Sequence, residues 1–370
     1  MNPALQKTLE LLLIIGIGVL LQRKLSGKAQ LEGIKVIILN VALPATIFLA
    51  LLKVELDPSM LFLPALALGF NLFLFVAVRY TLGYFAPGYD GPARRTLAML
   101  LPSLAPGLSC FPFIMAYQDD ASLALAALAD VGNKFFGLII LYLLAMHWYR
   151  ARALKKESRP GAGNLRGLFA SLLREPVNLV IGVALILLIA GLDLESLPGV
   201  ITATVNRFSV MMVALVLLFI GMAVRVSRLD LRDIALLLSW RSGLALLFSA
   251  ICIFLSPGLA PAWILLLVVF PQSSCSFWPY AHMHLVARLE ENQPMARPTF
   301  NLDFGVNLLA CSLPFSSMMI LLIFNFGEFF SDPAMLAGAG ATLVFIPLLV
   351  RFSLRAFRRV RNGIPENVLP

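Results

Sequence analysis

The chain has 370 residues, of which 60% are hydrophobic and 13% charged, with a mean hydropathy of +0.89. A composition this apolar excludes an ordinary soluble domain and puts most of the chain in lipid. Its formal charge of +9 sits in short stretches beside apolar runs, where the positive-inside rule accounts for it, so nucleic-acid binding is set aside.

About 20 apolar residues cross the hydrocarbon core as a helix, and the sequence offers eleven such windows. The first, about 6–22, lacks a basic n-region and ends at Gln22-Arg23-Lys24 rather than at small residues, so it reads as a permanent helix and not a signal peptide. The next four lie at about 32–53, 59–86, 95–117 and 122–149. A connection at 150–174, with Lys155-Lys156 and Pro160-Gly161-Ala162-Gly163, separates them from spans at about 175–192, 198–225, 231–255, 260–286 and 299–326, and from an eleventh at about 333–357. The expected division is a first five-helix repeat (1–149), a cytoplasmic linker (150–174), a second repeat (175–326), and an extra helix with a basic tail (327–370).

Loop charge sets the orientation. Arg23, Lys24 and Lys28, then Arg94 and Arg95, then Arg150 to Arg174, then Arg225, Arg228 and Arg232, then Arg288 and Arg297 all occupy odd-numbered connections. The even-numbered ones, such as Gln118-Asp119-Asp120 and Asp193-Leu194-Glu195, are nearly free of Lys and Arg. This alternation predicts an inner (plasma) membrane protein with its N-terminus outside and its C-terminus, with Arg351, Arg355, Arg358, Arg359 and Arg361, in the cytoplasm.

The fourth span contains Pro106-Gly107-Leu108-Ser109-Cys110-Phe111-Pro112 and the ninth Pro271-Gln272-Ser273-Ser274-Cys275-Ser276-Phe277-Trp278-Pro279. Both read Pro-x-x-Ser-Cys with a second proline soon after, at the same ordinal place in each group of five, which points to a duplicated unit. Because five is odd, the copies must be inverted, the plan of many secondary transporters. Each proline removes an amide and clashes with the preceding turn, and such opened backbone survives at membrane depth only within protein or a wet cavity. Half-helix N-termini would then face an anionic substrate.

Ionisable residues inside spans are functional candidates. The fifth span has Asp130, Asn133 and Lys134, and the tenth has Asp303 and Asn307 at a matching place. Two readings stand open for Asp130: neutralisation by Lys134 one turn away, or, for Asp130 or Asp303, uptake of a proton during a transport cycle. Asn40, four residues before Pro44, joins Asn71, Asn178 and Asn206 as amides that bind substrate or bridge helices. Arg79 and Arg241 are expected to snorkel or pair near span ends. Cys110, Cys252, Cys275 and Cys311 all fall in spans and read as small apolar residues. His282 and His284 do not face one another and have no evident partner ligand, so neither a metal nor another cofactor is expected. No catalytic constellation is visible, and an enzyme is not expected.

Gly16-Ile17-Gly18-Val19 to Gln22-Arg23-Lys24 and Asn40-Val41-Ala42-Leu43-Pro44-Ala45-Thr46-Ile47-Phe48 resemble the opening of the auxin efflux carrier family, in its bacterial permease branch. Gly182 to Gly191, Leu197-Pro198 and Phe219-Ile220-Gly221-Met222 extend the resemblance, which covers about residues 8–326. It implies an all-α fold of ten core helices in two inverted repeats, in which broken helices 4 and 9 cross and the substrate moves beside the crossover by an elevator-like motion. Placed by position, Pro106, Pro112, Pro271 and Pro279 flank the crossover with Ser109, Cys110, Ser274 and Cys275, while Asp130, Asn133, Asp303 and Asn307 lie on neighbouring helices. The chain departs from the family at Ala105 or Pro106, where an Asn is usual, and in its eleventh span, which is either peripheral or the lining of a homodimer interface. The function expected is transport of a small organic anion of carboxylate type, by uniport or proton coupling. The alternatives are a sodium-coupled carrier like the bile-acid symporters, and a non-transporting receptor or structural protein.

Overall fold

A computed structural model of the chain describes residues 3–25, 27–53, 62–85, 89–152, 176–223, 231–291 and 298–362. Residues 153–174 of the expected linker, the basic residues Arg225, Arg228 and Arg297, and the side chains of the basic tail lie outside the described residues.

All regular structure among the described residues is helical, in the order α1 (Pro3–Leu21), α2 (Lys28–Ile37), α3 (Leu43–Leu52), α4 (Phe62–Phe85), α5 (Gly91–Leu100), α6 (Pro106–Ser109), α7 (Phe111–Tyr117), α8 (Asp120–Phe135), α9 (Leu141–Arg152), α10 (Pro176–Ile189), α11 (Gly199–Ala223), α12 (Leu231–Leu255), α13 (Pro261–Val269), α14 (Phe277–Glu291), α15 (Leu302–Asn325), α16 (Gly327–Ser331) and α17 (Pro333–Asn362). Wider π-type turns at Ile38–Ala42 and Phe136–Ile140 carry α2 into α3 and α8 into α9. Eight of these stretches are long and apolar enough to cross a bilayer, and two shorter apolar helices, Leu9–Leu21 and Pro176–Ile189, accompany them. The protein is an all-helical membrane protein.

The helix starts follow local chemistry. Asp90, Asp119 and Asn301 each stand before a helix and accept a hydrogen bond from the amide three residues on, at 3.0, 2.8 and 3.0 Å, filling acceptor positions the helix itself cannot supply. Asn301 is therefore a cap for α15 rather than a polar group at mid-span.

Two groups of helices emerge from the packing. In one, α1 lies along α11, and α10 and α11 both pack on α3. In the other, α4 lies along α8, while α14 packs on α9 and on α15. Helix α17 rides on α12, where Gly243 and Gly340 meet so closely that a Cβ at Gly340 would stand 2.9 Å from the Gly243 carbonyl oxygen. The eleventh span is thus fastened through α12.

The expected fourth span is not one helix. The chain leaves α5 at Leu101 and runs extended through Ala105, with φ −128° and ψ 66° there, before α6 and α7 resume. Pro106 causes this, since its ring drives the residue before it out of the helical region. In the ninth span α13 tightens at Phe270–Gln272, Ser273 turns extended at φ −53° and ψ 148°, and α14 begins at Phe277. Pro106, Pro112 and Pro279 occupy first turns, where a missing amide costs nothing. These prolines restart helices after a gap; they do not kink a continuous one.

Candidate functional site

The two gaps lie against each other. The Ala105 amide donates to the Ser274 carbonyl at 2.8 Å. In return the Ser274 amide donates to Ser109 Oγ at 2.8 Å and the Ser276 amide to Ser103 Oγ at 3.0 Å. Backbone groups that an unbroken helix would satisfy internally are here satisfied by the other gap, the condition for keeping open backbone out of water.

A second tier of side chains closes the remainder. On α8, Asn133 Nδ2 donates to the Leu104 carbonyl at 3.0 Å and to Asp130 Oδ1 at 2.8 Å, and Asn133 Oδ1 accepts from the Leu104 amide at 3.2 Å and from Asn71 Nδ2 of α4 at 2.9 Å. Close approach permits it: a Cβ at Gly132, one residue earlier, would overlap the Pro64 carbonyl of α4. Lys134 Nζ stands 3.3 Å from Asp130 Oδ2, so both carboxylate oxygens are engaged. At the other gap, Ser312 Oγ of α15 accepts from the Cys275 amide at 3.3 Å, and Gln272 is locked to Ser242 of α12 through Ser242 Oγ at 2.5 Å and the Ser242 carbonyl at 3.1 Å. Asn71 Oδ1 is buried with no hydrogen-bond partner among the described residues.

Arg241 differs from its expected place. It is 2% exposed, near the middle of α12, and its Nε donates to the Leu101 carbonyl at 2.8 Å while Nη2 donates to those of Ser103 and Ser273 at 3.2 and 2.8 Å. At 1.5 Å per residue it lies about 15 Å from one helix end and about 21 Å from the other, beyond the reach of snorkelling.

The gaps thus bring together Pro106, Ser109, Cys110, Pro271, Ser274 and Cys275 with Asp130, Asn133 and Lys134, all of them buried. Pro112 and Pro279 are buried one turn further along. Three expected residues are elsewhere. Asn40 is exposed, its Nδ2 on the Val36 carbonyl at 2.9 Å; Asp303 is exposed in the first turn of α15, and Asn307 is half-buried a turn later. On α15 the contact with the second gap is made by Ser312, a serine that residue type did not single out because a hydroxyl in an apolar helix carries no charge signal. Among the described residues no group of three His, Cys, Asp or Glu side chains could hold a metal; His282 Nε2 lies 3.0 Å from the Gly137 carbonyl.

Beside the second gap, a half-open apolar cavity of about 40 Å³ between α4, α8, α12 and α13 is lined by Phe70, Phe248, Trp263, Phe270 and Pro271 among others. The fixed dipoles and buried charge of the gaps thus lie next to a small patch of apolar surface. No protein-family model and no curated protein matches the chain.

Proposed function

We propose that the protein is a carrier of a small organic anion, by uniport or secondary-active transport, using elevator-like alternating access about the crossing of its two broken helices. The observation that carries this reading is the mutual completion of the gaps, Ala105 to Ser274 in one direction and Ser274 and Ser276 to Ser109 and Ser103 in the other. Irregular backbone at membrane depth is expensive, and paired broken helices at the middle of a bundle are where carriers bind substrate.

The packing also supports two inverted five-helix repeats. Exchanging the first span with the sixth and the second with the seventh turns the contact of α1 with α11 into that of α10 with α3. The resemblance to the auxin efflux carrier family agrees with this plan, and the loop charges favour an inner-membrane protein with an outside N-terminus and a cytoplasmic C-terminus.

The test is flux of labelled carboxylates into and out of proteoliposomes, under imposed proton or sodium gradients, for the wild type, Asp130→Asn and Asp303→Asn. Saturable flux abolished in Asp130→Asn and retained in Asp303→Asn is expected. Absence of flux for every carboxylate would overturn the carrier reading.

A further inference from the structure

Arg241 raises a question of charge. A buried cation in a membrane helix normally pairs with a carboxylate, yet among the described residues no carboxylate lies within ion-pair distance of it; the buried pair is Asp130 with Lys134. Its guanidinium is held by three backbone carbonyls instead, Leu101 and Ser103 from the first gap and Ser273 from the second. Converging carbonyls of unwound helices are the ligands with which carriers hold sodium. Here a tethered side chain supplies the positive charge at that place.

We propose that Arg241 is a resident cation standing where a coupling ion would bind, so that the two gaps are held together without sodium and the centre is built for a monoanion. The monoanion arm rests on the carrier reading above; the sodium arm does not. An alkali ion leaves when its ligands part, whereas Arg241 stays with α12 through every state. Charge counting gives the anion class. The buried Asp, Glu, Lys, Arg and His side chains among the described residues are Asp130, Lys134, Arg241 and His282. Lys134 and Arg241, two cations, face one carboxylate, leaving one positive charge when the His282 imidazole is neutral. A monocarboxylate brings the centre to zero; a dicarboxylate leaves it one negative charge, a state the membrane interior disfavours.

The experiment is thermal unfolding of the purified protein in detergent, in sodium, lithium, potassium or choline chloride at equal ionic strength. The expected wild-type melting temperature is the same in all four salts. Arg241→Ala should melt several degrees lower in choline chloride and regain at least half of the loss in sodium or in about 10 mM guanidinium chloride, the ion that refills the vacated place. A wild type stabilised by sodium over choline, or an Arg241→Ala that melts like the wild type or answers to neither ion, overturns the proposal. Should Arg241→Ala not fold, Arg241→Lys and Arg241→Met decide it: the lysine, which keeps the charge, must melt above the methionine, and the reverse order refutes the idea. In proteoliposomes, monocarboxylate flux should exceed that of the matching dicarboxylate at least tenfold, and equal fluxes would overturn the monoanion arm. Loss of all flux would sink the carrier reading alone, with the melting series still deciding the role of Arg241.

Discussion

Replacing Asn133 with alanine should loosen the first gap more than any other single neutral substitution around it. The amide makes four contacts, with the Leu104 amide and carbonyl, Asp130 and Asn71. A hydrogen bond between membrane helices contributes about 0.6 kcal/mol on average, which sets a lower figure of about 2.4 kcal/mol for four. Alanine also strands the Leu104 amide, the Leu104 carbonyl and the Asn71 amide in a buried place, at about 1–3 kcal/mol each where nothing replaces the lost partner. A water entering the vacated volume would satisfy part of this, so the expected loss is about 3–4 kcal/mol. Reversible unfolding in mixed detergent micelles measures it. Asn71→Ala should cost about 1 kcal/mol alone and less in the Asn133→Ala background, because Asn71 Nδ2 has Asn133 as its partner. A loss below about 0.5 kcal/mol for Asn133→Ala, at the level of an ordinary surface change, or strict additivity of the two substitutions, would refute the reasoning.

Three further outcomes follow from particular contacts. Gly340→Val should lower the melting temperature, since overpacking at a close approach costs about 1–3 kcal/mol, whereas Gly338→Val on the same helix, with open space at its Cβ, should leave melting unchanged. Asp130→Asn leaves Lys134 buried without its charge partner and should cost about 3–5 kcal/mol, while the exposed Asp303→Asn should melt like the wild type in the same assay. Asp119 caps α8, and hydrogen bonds from the Ser122 side chain and amide hold its carboxyl below the usual carboxylate range. A carboxyl lowered on folding stabilises above its ordinary value, about pH 4, and loses that contribution as pH falls through its folded value. The difference in unfolding free energy between wild type and Asp119→Ala, about 1 kcal/mol at most for a cap this exposed, should therefore be full at pH 7 and shrink below pH 4.

Eight of the eleven expected spans coincide with helices long and apolar enough to cross a bilayer, because lipid leaves a coarse signal, about 20 apolar residues between charged loops. The gaps were legible for a local reason: proline restricts its own and the preceding residue whatever surrounds it, so Pro106 and Pro271 marked the places where the helices are interrupted. What holds the gaps closed was only half legible. Asp130, Asn133 and Lys134 declared themselves as polar residues in an apolar run, but the choice between substrate contact and helix support depends on Leu104, a residue nearly thirty positions away in sequence. Arg241 was misread because a lone arginine in a span looks like a snorkelling one until the carbonyls of two other helices are placed around it. Asp303 and Asn307 were matched to the fifth span by sequence order, yet the helix begins at Leu302, which puts Asp303 in its exposed first turn and leaves the contact with the gap to Ser312. Pattern counts residues from a motif; packing counts turns from a helix end.

Alternating exposure of the meeting gaps is the central claim, and Ser274→Cys, in a protein whose four native cysteines are replaced by alanine, tests it most directly. The Ser274 backbone makes the contacts to Ala105 and Ser109, so the substitution leaves them in place. A membrane-impermeant maleimide applied to right-side-out and inside-out vesicles should label this cysteine from both sides, at rates that a transported monocarboxylate changes. Labelling from one side only, or from neither, would contradict a carrier that opens its centre alternately to the two faces of the membrane.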